Sequence, residues 1–297
     1  PLGDPYTAAP AIDDGCCIAV SQMTYVPDIK FQQSLTVQSL VSGWWDITGT
    51  VSGGDYCFTS EINTITTLNI NAAGISDFTG LEDFVALTDL ICANNPAATS
   101  INLTTLINLD DLKAQGNTGL TTIDITQNVL ITVLNFTNCS LTTIDTSQNV
   151  LLEIFYIHTT GSNIGPVTSL DVSQNVLLSL LRADKNQLTT LDVSNNTALT
   201  ILELEDNLLT SLDVSSCIAL TTLWVHNNQL TSLNINNGNN TNMIPSMFRA
   251  RFNPSLTTIT CDVPGAAELV YCSPTNCSTS QTCTSNSPSI NCNVTFV

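Results

Sequence analysis

Basic residues are scarce: six Lys and Arg stand against 25 Asp and Glu in 297 positions, a formal net charge of −19. Neutralising phosphates takes clusters of Lys and Arg, and so does docking on anionic lipid. Nucleic acid and a charged membrane surface are therefore not expected partners. Only two histidines occur, His158 and His226, too few for a multi-histidine metal centre. No apolar run approaches the roughly 18 residues of a membrane helix, so no membrane insertion is expected. G-x-S-x-G and H-E-x-x-H are absent, and Gly49, Gly53 and Gly54 lead into neither a helix nor a Lys, so the common catalytic phrases are missing. What is plentiful is apolar: 43% of residues against 10% charged, the opposite of a disordered acidic tail.

The cysteines divide by context. Cys272, Cys277, Cys283 and Cys292 lie in a tail rich in Ser, Thr, Asn and Pro, and Cys16, Cys17 and Cys57 lie near the other end. These seven are disulfide candidates, which implies an oxidising, extracellular or cell-surface setting. The tail four allow three pairings, and sequence does not choose among them. The chain opens on Pro1-Leu2-Gly3 without a signal peptide, as expected of a processed or trimmed start.

Self-similarity is the main signal. LTTLDVSNNTALTILELEDNL (188–208) nearly recurs as LTSLDVSSCIALTTLWVHNNQ (209–229), a spacing of 21 residues. Each unit holds L-x-x-L-x-L-x-x-N twice, offset by 10 or 11. Leu90, Ile101, Leu112, Ile123, Leu134, Ile144, Phe155, Leu170 and Leu181 mark successive half-turns, continued by Leu191, Leu202, Leu212, Leu223, Leu233, Phe248 and Ile259. Segments 159–166 and 236–245 stretch the period twice. Apolar alternation around each marker predicts a short strand with one buried face. The Asn four or five residues later turns the chain and satisfies buried backbone groups. Cys139 and Cys217 occupy that Asn slot and Cys92 and Cys261 an inward one, so all four are expected to pack as buried thiols. One unit cannot bury its own apolar face, so stacking supplies the core.

These phrases resemble leucine-rich repeat proteins, in particular the bacterial 21-residue class with nested half-repeats found in Bacteroidota surface proteins. TYVPDIKFQQSL (24–35) resembles the helical cap before such arrays, and residues 75–95 resemble the first, slightly longer repeats. The cap is interrupted by WWDITGTVSGGDYC (44–57), and the tail has no recognisable sorting domain. The expected fold is a mainly β repeat solenoid, with short parallel strands on two faces and little helix outside the cap. Residues 1–61 form the N-terminal segment and cap, 62–262 the solenoid, and 263–297 the C-terminal cap and Cys-rich tail. Trp44 and Trp45 are expected in the cap core, and 264–271 is expected to close the last coil. The resemblance implies adhesion or partner binding.

The two outward faces differ. One repeats Asp124, Asp145, Asp171, Asp192 and Asp213 between Thr and Ser. Neighbours about 4.8 Å apart repel by roughly 0.9 kcal/mol each in water, so the ladder needs compensation. Hydrogen bonds from nearby hydroxyls or amides are one answer. Ca²⁺ held by Asp145, Asp171, Asp192 and Asp213 is another. A third is a periodic ligand, ice or crystalline glycan, matched to the grid.

The other face changes at every coil: Lys113, Asn135, Tyr156, Arg182, Glu203, Trp224 and Arg249 in its central column, with His158, Asp184, Glu205, His226 and Arg251 in the next. An apolar stripe runs beside them from Val133 to Ile201. Trp, Tyr and Arg dominate binding hot spots, so Tyr156, His158, Arg182, Glu203, Glu205, Trp224, His226, Arg249 and Arg251 form the expected partner surface, for a protein or a glycan at the cell surface. A structural subunit of an outer-surface assembly is the rival. No catalysis is expected: Asp110/Asp111 and Glu203/Glu205 are read as exposed pairs without reason for a raised pKa. His226 is within reach of Glu205 on the next coil.

Overall fold

The computed structural model describes residues 22–44, 55–239, 247–261, 281–284 and 290–294. Cys16, Cys17, Cys272, Cys277, Trp45 and residues 264–271 lie outside them. The chain starts with β1 (Met23–Tyr25), α1 (Ile29–Val37), β2 (Tyr56–Phe58) and α2 (Thr59–Ile62), β1 and β2 pairing antiparallel. Then comes a nine-stranded parallel sheet made of one strand per coil. Its members are β3 (Thr67–Asn69), β4 (Asp89–Ile91), β5 (Asp111–Lys113), β6 (Val133–Asn135), β7 (Ile154–Tyr156), β8 (Leu180–Arg182), β9 (Ile201–Glu203), β11 (Thr222–Trp224) and β13 (Phe248–Arg249). In register, Leu68, Leu90, Leu112, Leu134, Phe155, Leu181, Leu202, Leu223 and Phe248 form one fully buried row. The repeat solenoid expected from the period is thus the fold, with its variable face on this sheet.

The uniform face is organised differently. Its inward markers Leu170, Leu191, Leu212, Leu233 and Ile259 are buried, yet strand pairing appears only in the last coils. There β10 (Ser211–Asp213), β12 (Ser232–Asn234) and β14 (Thr258–Cys261) run parallel. β16 (Ile290–Val294) and β15 (Gln281–Thr284) extend that sheet antiparallel, and their register sets Cys283 opposite Cys292. In paired and unpaired coils alike, each Asp of this face receives the amide two residues on, a local turn bond. No helix among the described residues is long and apolar enough to cross a membrane.

Inside the coils the Asn slots act as expected. Asn95, Asn117, Asn128, Asn149, Asn175 and Asn196 are fully buried. Asn196 Nδ2 donates to the Val172 and Asn175 carbonyls at 2.9 and 2.8 Å. Cys139 and Cys217 fill the slot with a single weak bond, Sγ to the Ala114 and Val193 carbonyls at 3.2 and 3.7 Å. With Cys92 they are buried free thiols. Cys57 departs from its disulfide assignment: it is also a free, fully buried thiol. It points inward from β2, where burial and then Glu61 and Asp83 push it up to about 12.

One carboxylate fastens the cap to the first coil. Asp28 Oδ1 accepts from the Lys30 and Phe31 amides, capping α1, and Oδ2 accepts from the Ser76 amide and hydroxyl and the Asp77 amide. Burial pushes its carboxyl up, but these donors outweigh it and hold the group below the usual range. Behind them Phe31 packs on Phe78 and Phe84 at 6.2 Å. Losing an N-cap costs about 1 kcal/mol, and the bonds to Ser76 and Asp77 add about as much again. Asp28→Ala is therefore expected to lower the thermal midpoint by roughly 4–8 °C, measured by circular dichroism. A change under a degree would show that the clamp contributes nothing.

Candidate functional site

The site is the outward side of the nine-stranded sheet. Each strand is three residues or fewer, so the chain turns inward almost at once. Asn138, Lys185, Asp206 and Asn227 adopt positive φ of 53–59° to make that turn. The residues just before them, Thr137, Asp184, Glu205 and His226, stand on a ledge walled by neighbouring coils. Exposure there drops to 7% for Asp184 and 9% for Glu205, and Glu203 on β9 is 4% exposed. This overturns the reading of Glu203 and Glu205 as an exposed pair. Successive coils sit about 4.8 Å apart, so a short carboxylate between two bulkier rows is shielded from water.

Desolvation disfavours ionised carboxylates and imidazolium alike. Burial, reinforced by Asp184, pushes Glu205 up to about 7, and burial pushes Asp184 up to about 6. Burial raises Glu203 as well, against the opposing pull of Arg182. Burial followed by Arg182 and Lys185 takes His158 down to about 4, and burial lowers His226. Neutral His158 lies with Nδ1 3.9 Å from Asp184 Oδ1. Among the described residues the histidine–carboxylate contact within 4 Å is this one; the sequence had placed His226 only within reach of Glu205. One oxygen each from Asp184, Glu203 and Glu205 lie within 4.8 Å of one another, the one such trio of potential metal ligands among the described residues.

Around this centre cations cover aromatics. Arg182 Nε meets Glu203 Oε2 at 2.8 Å, and its Nη2 donates to Oε1 at 3.1 Å. The same guanidinium lies 5.9 Å from the Tyr156 ring centre, and that ring meets His158 edge-on at 6.1 Å. Arg249 sits 4.0 Å over Trp224, and Arg251 lies 5.4 Å over Phe252, two positions away from Arg249. The nine expected residues thus share one sheet face but fall into two clusters. Tyr156, His158, Arg182, Glu203 and Glu205 surround the buried acids, and Trp224, Arg249 and Arg251 form cation–π pairs further along, with His226 on the ledge between.

Two features of this region escaped the sequence reading. One is the acidic trio, though a 21-residue step does place Asp184 and Glu205 in one slot. The other is an apolar ridge on the turns leading into the sheet. Val129, Leu130, Val150, Leu151, Val176 and Leu177 are 38–48% exposed. The thrice-repeated Asn-Val-Leu phrase at 128–130, 149–151 and 175–177 was its signal. At the other edge, segment 159–166 bounds a cleft of about 510 Å³ with Gly116, Asn138 and Cys139.

The Asp ladder is solvent-facing. Asp124, Asp145, Asp171, Asp192 and Asp213 each accept the amide of the Thr or Ser two residues on at 2.8–2.9 Å. For Asp124, Asp171 and Asp192 that backbone bond is the main cause holding the carboxyl below its usual range. For Asp145 the Ser147 hydroxyl leads, and for Asp213 the Ser215 and Asn234 bonds outweigh burial. The repulsion is met by local hydrogen bonds.

No protein-family model and no curated protein matches the chain. Solved structures do. A leucine-rich repeat protein of Leptospira interrogans superposes with a TM-score of 0.51 at 20% identity, over 71% of this chain and 53% of that one. The fold is a leucine-rich repeat solenoid. The functional domain of InlJ from Listeria monocytogenes, which includes a cysteine ladder, matches at 24% identity and TM-score 0.42, over 80% and 63% of the two chains. Internalin C2 from the same species matches at 18% and 0.44, over 73% and 90%. The chain thus spans about half to two thirds of the length of the first two.

Proposed function

We propose that this leucine-rich repeat protein binds a protein partner through its variable sheet, outside the cytoplasm. One observation carries the reading: the Arg–aromatic pairs on Tyr156 and Trp224 share a sheet with a half-buried stripe, Val133, Ile154, Leu180 and Ile201, and its exposed ridge. Apolar area rimmed by charge is the composition of a protein-binding patch, and Trp, Tyr and Arg are its usual anchors. A glycan platform is less favoured, because Arg249 already occupies one face of the Trp224 ring. The 21-residue period supports the bacterial class with nested half-repeats, and the tail cysteines support the extracellular setting.

The test is capture from detergent-solubilised surface extract of the source cells, with partners identified by mass spectrometry. The Tyr156→Ala/Trp224→Ala variant is expected to capture its partner at least tenfold more weakly. An Asp145→Asn/Asp171→Asn variant of the uniform face should capture as the wild type does. Equal capture by the aromatic variant, with an unchanged melting curve, would sink the assignment.

A further inference from the structure

We propose that Asp184, Glu203 and Glu205 bind one hard divalent cation of calcium or manganese size at the centre of the variable sheet. Geometry comes first. For three oxygens at most 4.8 Å apart there is always a point no more than about 2.8 Å from each. Contraction by a few tenths of an ångström reaches the 2.3–2.6 Å of calcium–oxygen bonds, whereas Mg²⁺ demands about 2.0–2.1 Å and near-ideal octahedral geometry. The ligands stand on a rigid frame. Arg182 on β8 is in register with Glu203 on β9, and the Ala183 and Lys185 amides donate to the Glu203 and Glu205 carbonyls at 2.9 and 2.8 Å.

The second observation is independent of the clustering. Asp184 Oδ1 and Glu205 Oε2 are buried without a hydrogen-bond partner, on residues 7% and 9% exposed. Buried polar atoms in native proteins are nearly always satisfied by protein, ordered water or an ion, and here two carboxylate oxygens without a partner belong to one cluster. Charge accounts for the valence. Arg182 neutralises Glu203, and Lys185 turns its amine to the Gly161 carbonyl. Asp184 and Glu205 therefore lack an ion-pair partner, and when ionised they carry the two charges a divalent cation matches. Unpaired charges in such a site are costly, and a bound cation would offset that cost. His158 Nδ1, 3.9 Å from Asp184 Oδ1, adds a neutral nitrogen that favours manganese over calcium if it swings in as a fourth ligand. The site stands independently of the partner reading, and its test needs no partner.

The test is isothermal titration of the EDTA-stripped full chain with CaCl₂, MnCl₂ or ZnCl₂ at pH 7.5, with thermal melts in parallel. One ion per chain and a raised melting point are expected with Ca²⁺ or Mn²⁺. Asp184→Asn/Glu205→Gln is expected to weaken binding at least tenfold and erase the thermal shift. Asp171→Asn/Asp192→Asn on the uniform face should leave both unchanged. The amide variants remove buried charge without changing shape, so they are expected to fold, as circular dichroism will verify. The proposal is overturned by no uptake of Ca²⁺ or Mn²⁺ at 1 mM, by binding of Zn²⁺ alone, by uptake that survives the Asp184/Glu205 variant, or by uptake lost in the ladder variant.

Discussion

Asn207→Ala is expected to lower the thermal midpoint by roughly 4–16 °C, the equivalent of about 2–4 kcal/mol. Asn207 is 4% exposed, and its Nδ2 donates to the Ala183, Leu204 and Glu205 carbonyls at 2.9, 3.1 and 3.4 Å. Its Oδ1 accepts the Leu188 amide at 3.0 Å. Truncation orphans the Leu188 amide, while the Ala183, Leu204 and Glu205 carbonyls keep Asn186 Nδ2 at 3.2 Å, Asn228 Nδ2 at 2.9 Å and the Lys185 amide at 2.8 Å. The orphaned amide costs about 1–3 kcal/mol, and each bond lost by a carbonyl that keeps another donor costs about 0.5 kcal/mol or less. The damage reaches beyond one coil, because Asn207 joins its own turn to the coil before it. Cys139 and Cys217 show that a slot can manage with one weak bond to one carbonyl, so the estimate stays below the full sum. Exposed Thr189→Ala is the control, expected within about 0.5 kcal/mol of wild type. A loss below about 1 kcal/mol for Asn207→Ala would show that the inner hydrogen bonds do not hold the coils together.

Glu205→Gln is expected to act in the opposite sense: in EDTA at pH 8 the variant should be more stable than wild type, by about 2–3 kcal/mol. The carboxyl is raised to about 7 by burial, with Asp184, Glu203 and Asp206 adding to it. A raised folded-state pKa means that Glu205 contributes its stability while protonated, fully below about pH 4.5, and loses it as pH rises through about 7. Glutamine keeps the shape and has no proton to lose. The stability difference should therefore be near zero at pH 4.5, grow from there and level off above pH 7. Wild type alone gives a blurred curve. Asp184, raised to about 6, runs with Glu205, while His158, lowered to about 4, loses stability as pH falls from 6.5, and lowered His226 has the same sign. Subtracting paired urea melts across pH 4.5–8.5 isolates residue 205. A variant no more stable than wild type at pH 8 would show that Glu205 is hydrated. With 1 mM Ca²⁺ the gain at pH 8 is expected to shrink or reverse, because the substitution then also removes an ion ligand.

Much of the architecture was legible in the repeat. Every marker from Leu90 to Phe248 on the variable face is a fully buried strand centre, because a 21-residue period records inside and outside one coil at a time. The Asn slots were equally plain, since a tight inward turn needs a side chain that donates to carbonyls. So were the sheet that varies and the acidic ladder that does not.

What the sequence did not determine lies between coils. Glu203, Glu205 and Asp184 occupy outward positions in the pattern, yet burial is set by side chains 21 residues away on the next strand. Their convergence follows from register and from the position of the inward turn. Cys57 was grouped with Cys16 and Cys17 as a disulfide candidate, and only its place in the β1–β2 pair made it a buried thiol. The uniform face has the same strand alternation as the variable one. Pairing there begins only at β10, although the Asp-to-amide turn is present on both sides of that point. The in-and-out pattern along one coil belongs to the sequence. The distances between coils, and with them the buried acids, belong to the tertiary structure, because a periodic chain specifies which way each side chain points before it specifies what stands beside it.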